Sequence, residues 1–219
     1  IESVNKNKQI KFIDLENGIN AICIPNGIDL KIIKKRDNSK KYLVFVGRFS
    51  DEKQPFKAIE LFVNSKLFNS NIILKMYGYG ELKSEILEYI KKNGYENKIK
   101  VITGEVDPDV FFKDALTLIL TSKIEGFGLV MLEAMVRGVP CLSFKTSYGP
   151  LNIIKNGING FFIEDSVDDF DEKIERIRDI DIESIYNTLD EYDEKNILLK
   201  WGKLVDKLKV NHNLSICFP

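Results

Sequence analysis
Strand-like and helix-like runs take turns along the chain from residue 42 to residue 164, and this alternation limits the fold more than any other feature. YLVFVG (42–47), NIILKMYG (71–78), KIKVITG (98–104), LTLILTS (116–122), PCLSF (140–144) and GFFIE (160–164) are short, apolar and β-rich, as strands buried on both faces must be. Between them lie runs with helical spacing. In PFKAIELFVNSKLF (55–68), Pro55 suits a first turn, and Phe56, Ile59, Phe62 and Val63 share a face. ELKSEILEYIKKN (81–93) ends at Gly94, and DPDVFFKDA (107–115) opens with Asp107 as N-cap and Pro108 at the first position. A helix over 129–136 stops at Gly138-Val139-Pro140, and GPLNIIKNG (149–157) reads as a helical turn. Repeated βαβ units predict an α/β fold: a Rossmann-like parallel sheet with helices on both faces. Past residue 165 only helical spacing remains, in Ile174 and Ile177 and in Leu198, Trp201, Val205 and Leu208.

Composition removes several function classes. The 219 residues suffice for a sizeable core, and 44% hydrophobic with 30% charged residues describes a globular chain. A net charge of -1 gives no basic surplus for nucleic acid. No apolar run approaches the ~18 residues of a membrane span, and the polar start IESVNKNKQIKF is not a signal peptide. Cys23, Cys141 and Cys217 are odd in number and far apart, which predicts a reducing compartment without a disulfide framework. His212, the single histidine, excludes an HExxH metal site, and no GxSxG nucleophile motif is present.

Ligands of such sheets bind beyond the carboxyl ends of the strands. The turns there are GRFSDEK (47–53), GYGE (78–81), GEVD (104–107), SKIEGFG (122–128) and KTSYGP (145–150), and each contains glycine. Arg48 and Lys53 share one turn; they are either a solvated surface pair or a two-cation clamp for a diphosphate. GYGEL holds two glycines of a dinucleotide fingerprint, but Lys83 stands where the third belongs, so it reads as a turn rather than a dehydrogenase signature. EGFG before a helix has anion-binding geometry, and is equally a tight turn. Glu133 falls in the most apolar helix, where a carboxylate needs a partner to offset burial, although acids also favour first turns.

Taken in order, GRFSDEK, GYGEL, GEV, SKIEGFGLVMLEAMVRGVP and GPLNIIKNGINGFFI resemble the donor-binding half of retaining GT-B glycosyltransferases, glycosyltransferase family 4 (glycosyl transferases group 1). The resemblance covers roughly residues 20–164 and centres on two glutamates separated by seven residues, Glu125 and Glu133. AICIPNGID (21–29) is similar to the segment linking that family's two domains. The resemblance implies one half of a GT-B fold. Residues 1–39 form a linker-like segment from an N-terminal acceptor domain that this sequence lacks, 40–165 the donor-binding domain and 166–219 a C-terminal helical segment.

The same resemblance assigns roles. Arg48, Lys53 and Glu125 form the catalytic set, the cations neutralising the leaving diphosphate and Glu125 meeting the transferred sugar. Glu133 accepts hydrogen bonds from ribose hydroxyls; Gly126, Phe127, Gly128, Leu129 and Val130 present backbone groups to sugar and phosphates; Gly47, Tyr77, Gly78 and Val106 complete the donor site, Val106 meeting the base. No metal and no cofactor is implied. The expected activity is retaining transfer of a hexose from a nucleoside diphosphate sugar, UDP-linked, to a glycan or lipid-linked acceptor in cell-surface polysaccharide or lipopolysaccharide synthesis. The implied location is cytoplasmic, with peripheral association at the inner face of the membrane. This chain alone is expected to be inactive for want of the acceptor domain; the alternative is a non-catalytic sugar-nucleotide-binding or regulatory module.

Overall fold
The computed structural model describes residues 11–15, 19–32, 40–104, 107–145 and 148–210. In chain order the strands are β1 (Lys11–Leu15), β2 (Ile19–Cys23), β3 (Tyr42–Val46), β4 (Ile73–Tyr77), β5 (Ile99–Ile102), β6 (Ala115–Leu120), β7 (Cys141–Phe144) and β8 (Gly160–Ile163). The helices are α1 (Pro55–Asn64), α2 (Lys83–Lys92), α3 (Pro108–Phe112), α4 (Leu129–Met135), α5 (Tyr148–Ile153), α6 (Val167–Ile177), α7 (Ile182–Tyr186) and α8 (Glu194–Val210). Two compact units result, one from the described residues of Ile1–Leu30 and Asp190–Pro219, the other from those of Lys31–Leu189.

The larger unit is a six-stranded, wholly parallel sheet in the order β5-β4-β3-β6-β7-β8. The Rossmann-like reading of the sequence is therefore correct. The chain builds outward from β3 through β4 to β5, returns to β6 beside β3, and builds outward the other way. That reversal leaves a topological switch point between the carboxyl ends of β3 and β6. β6 occupies the centre, and all six of its residues are buried, which is why ALTLIL carries no alternation. Its one polar side chain, Thr117, is satisfied by donating to the Pro140 carbonyl at 2.8 Å.

Local chemistry fixes the element ends. Asp107 caps α3 by accepting from the Asp109 amide, with Pro108 at the first position. Gly94 takes a φ of 71° just past α2. α1 ends at Asn64 instead of running to residue 68. The Ser65 side chain accepts from the Leu67 amide and starts a 3-10 turn, Lys66–Asn69. Helix α6 belongs to the same core as the sheet: Phe170, Ile174 and Ile177 are buried with Leu43, Leu74, Leu142 and Phe161.

In the smaller unit β1 and β2 pair antiparallel, Lys11 opposite Cys23 and Leu15 opposite Ile19. Ile28, in the linker-like IPNGID, donates its amide to the Tyr192 carbonyl at 2.8 Å and accepts from the Glu194 amide at 3.0 Å. Ile24 packs with Ile197, Trp201 and Leu204 of α8. Among the described residues no helix is long and apolar enough to cross a membrane.

Candidate active site at the strand switch point
A cleft of about 270 Å³ opens at the switch point. Its walls are the end of β3 (Phe45, Val46) with Gly47 after it, the end of β6 (Ile119, Leu120) with Ser122 after it, Lys53, Glu125, and the start of α4 with the residue before it (Gly128, Leu129, Val130, Glu133). A parallel sheet parts its outgoing connections at this point, so the cleft follows from the strand order.

Lys53 and Glu125 meet on its wall. The Lys53 ammonium donates to Glu125 Oε2 at 2.9 Å, and Ser122 Oγ donates to the same oxygen at 3.3 Å. The two charged side chains are 23% and 14% exposed, so they are screened less than a surface pair. Glu133 differs. It is half-buried, and no hydrogen bond to its carboxylate is made among the described residues. Burial pushes its carboxyl above the ordinary range, and the nearby Arg137 cation pulls it part of the way back. Arg137 Nη1 donates to the Glu133 backbone carbonyl at 2.8 Å, while its Nε donates to Asp109 at 2.8 Å and so ties α4 to α3.

Glycine in these turns serves the chain's own packing as well as an open crevice. A Cβ on Gly78 would stand 1.9 Å from the Gly47 carbonyl oxygen, because the turns after β3 and β4 lie against each other. Gly47 and Phe49 donate their amides to Tyr77 and Tyr79 there, at 3.0 and 2.7 Å. Gly149 likewise sits under the EGFG loop, where a Cβ would approach the Phe127 carbonyl oxygen to 2.3 Å. Gly128 caps α4 in the left-handed region at φ 80°.

Of the residues nominated from sequence, the cleft brings together Gly47, Lys53, Glu125, Gly128, Leu129, Val130 and Glu133. Arg48 is exposed in the Lys53 turn and is not among the lining residues. Tyr77 is buried, with its ring 4.7 Å from that of Phe111, and neither it nor Gly78 lines the cleft. Gly126 and Phe127 form the loop beside it. Val106 lies outside the described residues. Sequence reasoning passed over Ser122 and Arg137. Ser122 had a usable signal, because it follows an apolar strand-like run and stands three residues before Glu125.

Comparison with known proteins agrees with this geometry. The profile of the family Glycosyl transferases group 1 matches residues 29–197. The chain is 25% identical over 193 residues to the poly(ribitol-phosphate) alpha-N-acetylglucosaminyltransferase of Staphylococcus aureus (strain COL), covering 84% of this chain and 39% of that protein. It is 28% identical over 165 residues to the lipopolysaccharide 1,6-galactosyltransferase of Salmonella typhimurium, covering 73% and 46%. Among solved structures, a mutant of S. aureus TarM in complex with Fondaparinux, alpha-GlcNAc-glycerol and UDP matches with a TM-score of 0.68 and 27% identity, over 88% of this chain and 40% of that one. The chain thus spans less than half the length of each of these proteins.

Proposed function
The chain belongs to the glycosyl transferases group 1 family, and from that premise we propose that its cleft is the donor site of a retaining hexosyltransferase that uses a UDP-linked sugar. The observation that carries this reading is the composition of one cleft. It holds a Lys53–Glu125 pair and, on the facing helix, the half-buried Glu133 whose carboxylate lacks a hydrogen-bond partner among the described residues. Ribose hydroxyls supply what Glu133 lacks, since a semi-buried carboxylate is stabilised by donors. Lys53, joined by Arg48 from the same turn, meets the diphosphate. Breaking the anomeric bond places negative charge on that group, and cations already in position stabilise the charge as it develops. Glu125 exchanges its bond with Lys53 for the hydroxyls of the transferred sugar. The base is assigned to Val106, and Tyr77 and Gly78 are assigned to the same donor site. Gly47, Gly126, Phe127, Gly128, Leu129 and Val130 present main chain to sugar and phosphates.

The UDP moiety and the hexose are supported by the ligands and names of the relatives above, as is an acceptor in the class of cell-surface glycans or lipid-linked saccharides. Donor binding needs no divalent metal in this reading, because side-chain cations take its place. In this proposal the whole enzyme works on the cytoplasmic side, peripherally at the inner face of the membrane. This chain by itself binds donor without transferring it, because it spans less than half the length of its relatives. Membership of a transferase family favours the transferase over a purely binding module.

A thermal-melt screen against UDP-, GDP- and ADP-sugars and NADH tests this reading. A UDP-hexose at a hundredfold excess over its Kd adds about 2.7 kcal/mol and raises Tm by roughly 5–10 °C. A shift with NADH alone would point to a dehydrogenase and sink the proposal, as would the absence of any shift.

A further inference from the structure
The turn that carries Lys53 is held by a strand other than its own. Gln54, next to Lys53, sits at φ 48° and ψ 56°, a left-handed conformation that a residue with a Cβ adopts reluctantly. It is the N-cap position of α1, yet its side chain makes no capping bond. The turn's own hydroxyl, Ser50 Oγ, is buried without a hydrogen-bond partner among the described residues. The Lys53 and Gln54 amides converge on the Ser50 carbonyl, each at 3.1 Å, and the Gln54 carbonyl accepts from the Lys57 amide at 3.0 Å. Thr121, immediately after β6 and buried, donates its hydroxyl to the Gln54 carbonyl at 2.8 Å and reaches the Lys53 carbonyl at 3.2 Å.

The next two residues add to this. Ser122 Oγ reaches Glu125, and the Lys123 amide donates to the Glu52 carbonyl at 2.8 Å. Three consecutive residues after β6 therefore hold the cationic turn and the carboxylate that faces it. Alternation of side chains along extended backbone sends the Thr121 hydroxyl to the turn and the Ser122 hydroxyl toward the cleft.

We propose that Thr121 is a positioning residue for Lys53. Its hydroxyl fixes the left-handed turn through the Gln54 and Lys53 carbonyls, and so sets the place of the ammonium in the cleft. The inference rests on the donor-site reading for its functional consequence, while the mechanical part stands on the turn itself. Thr121→Val keeps the volume and removes the donor; Thr121→Ser keeps the donor.

Two readouts on the full chain separate the parts. Without ligand, hydrogen exchange of the Lys53 and Gln54 amides quickens about tenfold in Thr121→Val and stays near wild type in Thr121→Ser, with β3 amides unchanged. With UDP, Thr121→Val weakens binding by about threefold to tenfold, the serine variant restores it, and the loss disappears in a Lys53→Met background because the two residues act as one unit. Unchanged exchange, or an equal loss of UDP affinity with and without Lys53, overturns the proposal. If wild type does not bind UDP, the donor-site reading fails, and the exchange arm still decides the role of Thr121. Should valine prevent folding, Thr121→Cys, a far weaker donor of similar size, carries both readouts.

Discussion

Glu133 sets two demands against each other. Its burial disfavours ionisation in the free chain, while acceptance from ribose hydroxyls needs the ionised form. Because the folded-state value is raised, the folded chain keeps a proton that the unfolded chain has released. The stabilising contribution of this group is therefore present at low pH and falls as pH climbs from the ordinary carboxylate value to the raised one. Affinity for uridine, which has no group of its own titrating in that window, rises over the same interval and then levels. An NMR titration series in pH checks this, and Glu133→Gln makes the profile flat. The same substitution lowers UDP affinity by about one to two orders of magnitude, since bonds to a charged acceptor contribute roughly 1.5–3 kcal/mol. Glu125→Gln behaves differently: UDP affinity stays within about twofold, and only the sugar nucleotide binds more weakly, because the partner assigned to Glu125 is the sugar. Equal weakening of both ligands would reverse that assignment. Both glutamates were legible in the sequence, as an acid inside an apolar helix and its companion before a glycine turn. Thr121 and Arg137 were not. Their partners are backbone carbonyls and an aspartate far away in the chain, and such pairings are set by strand order and helix packing.

At the scale of elements, the EGFG loop depends on a residue that follows β7. Gly149 donates its amide to the Glu125 carbonyl at 3.4 Å and lies where any Cβ would press on the Phe127 and Gly126 carbonyl oxygens, at 2.3 and 2.7 Å. The obstructing atoms are main chain, so a rotamer change gives no relief. Gly149→Ala costs about 1–3 kcal/mol of stability, read by denaturant melts, and weakens UDP-hexose more than UDP because the displaced loop carries Glu125. An alanine variant with wild-type stability would show that the loop does not rest on this contact. Strands and helices between residues 42 and 164 were readable because burial on both faces and helical spacing leave direct traces in composition. The end of α1 was not, since a serine hydroxyl redirected the chain there. Nor was the β1–β2 hairpin, whose partner strand is its only structural context in the pairing pattern of the described residues. A glycine follows each of β3 and β4, and the sequence does not show what either one faces. A Cβ on Gly78 would meet the Gly47 carbonyl of the neighbouring turn, a contact that strand pairing alone reveals.

For the whole molecule, one sheet with one switch point gathers the lining of one cleft from β3, β6, α4 and the turns around them. Nothing in the sequence order puts Lys53 beside Glu125, 72 positions away; the return of the chain to β6 does so. The central claim is that this cleft receives the diphosphate and ribose of a sugar nucleotide without help from a metal. Calorimetric titration of UDP into the full chain in the presence of EDTA tests it most directly, run beside the Lys53→Met and Glu133→Gln variants. The account predicts one binding event per chain, unchanged when EDTA is replaced by manganese, and weakened about tenfold or more by each substitution. Binding that requires manganese, or binding that both variants retain in full, would contradict it.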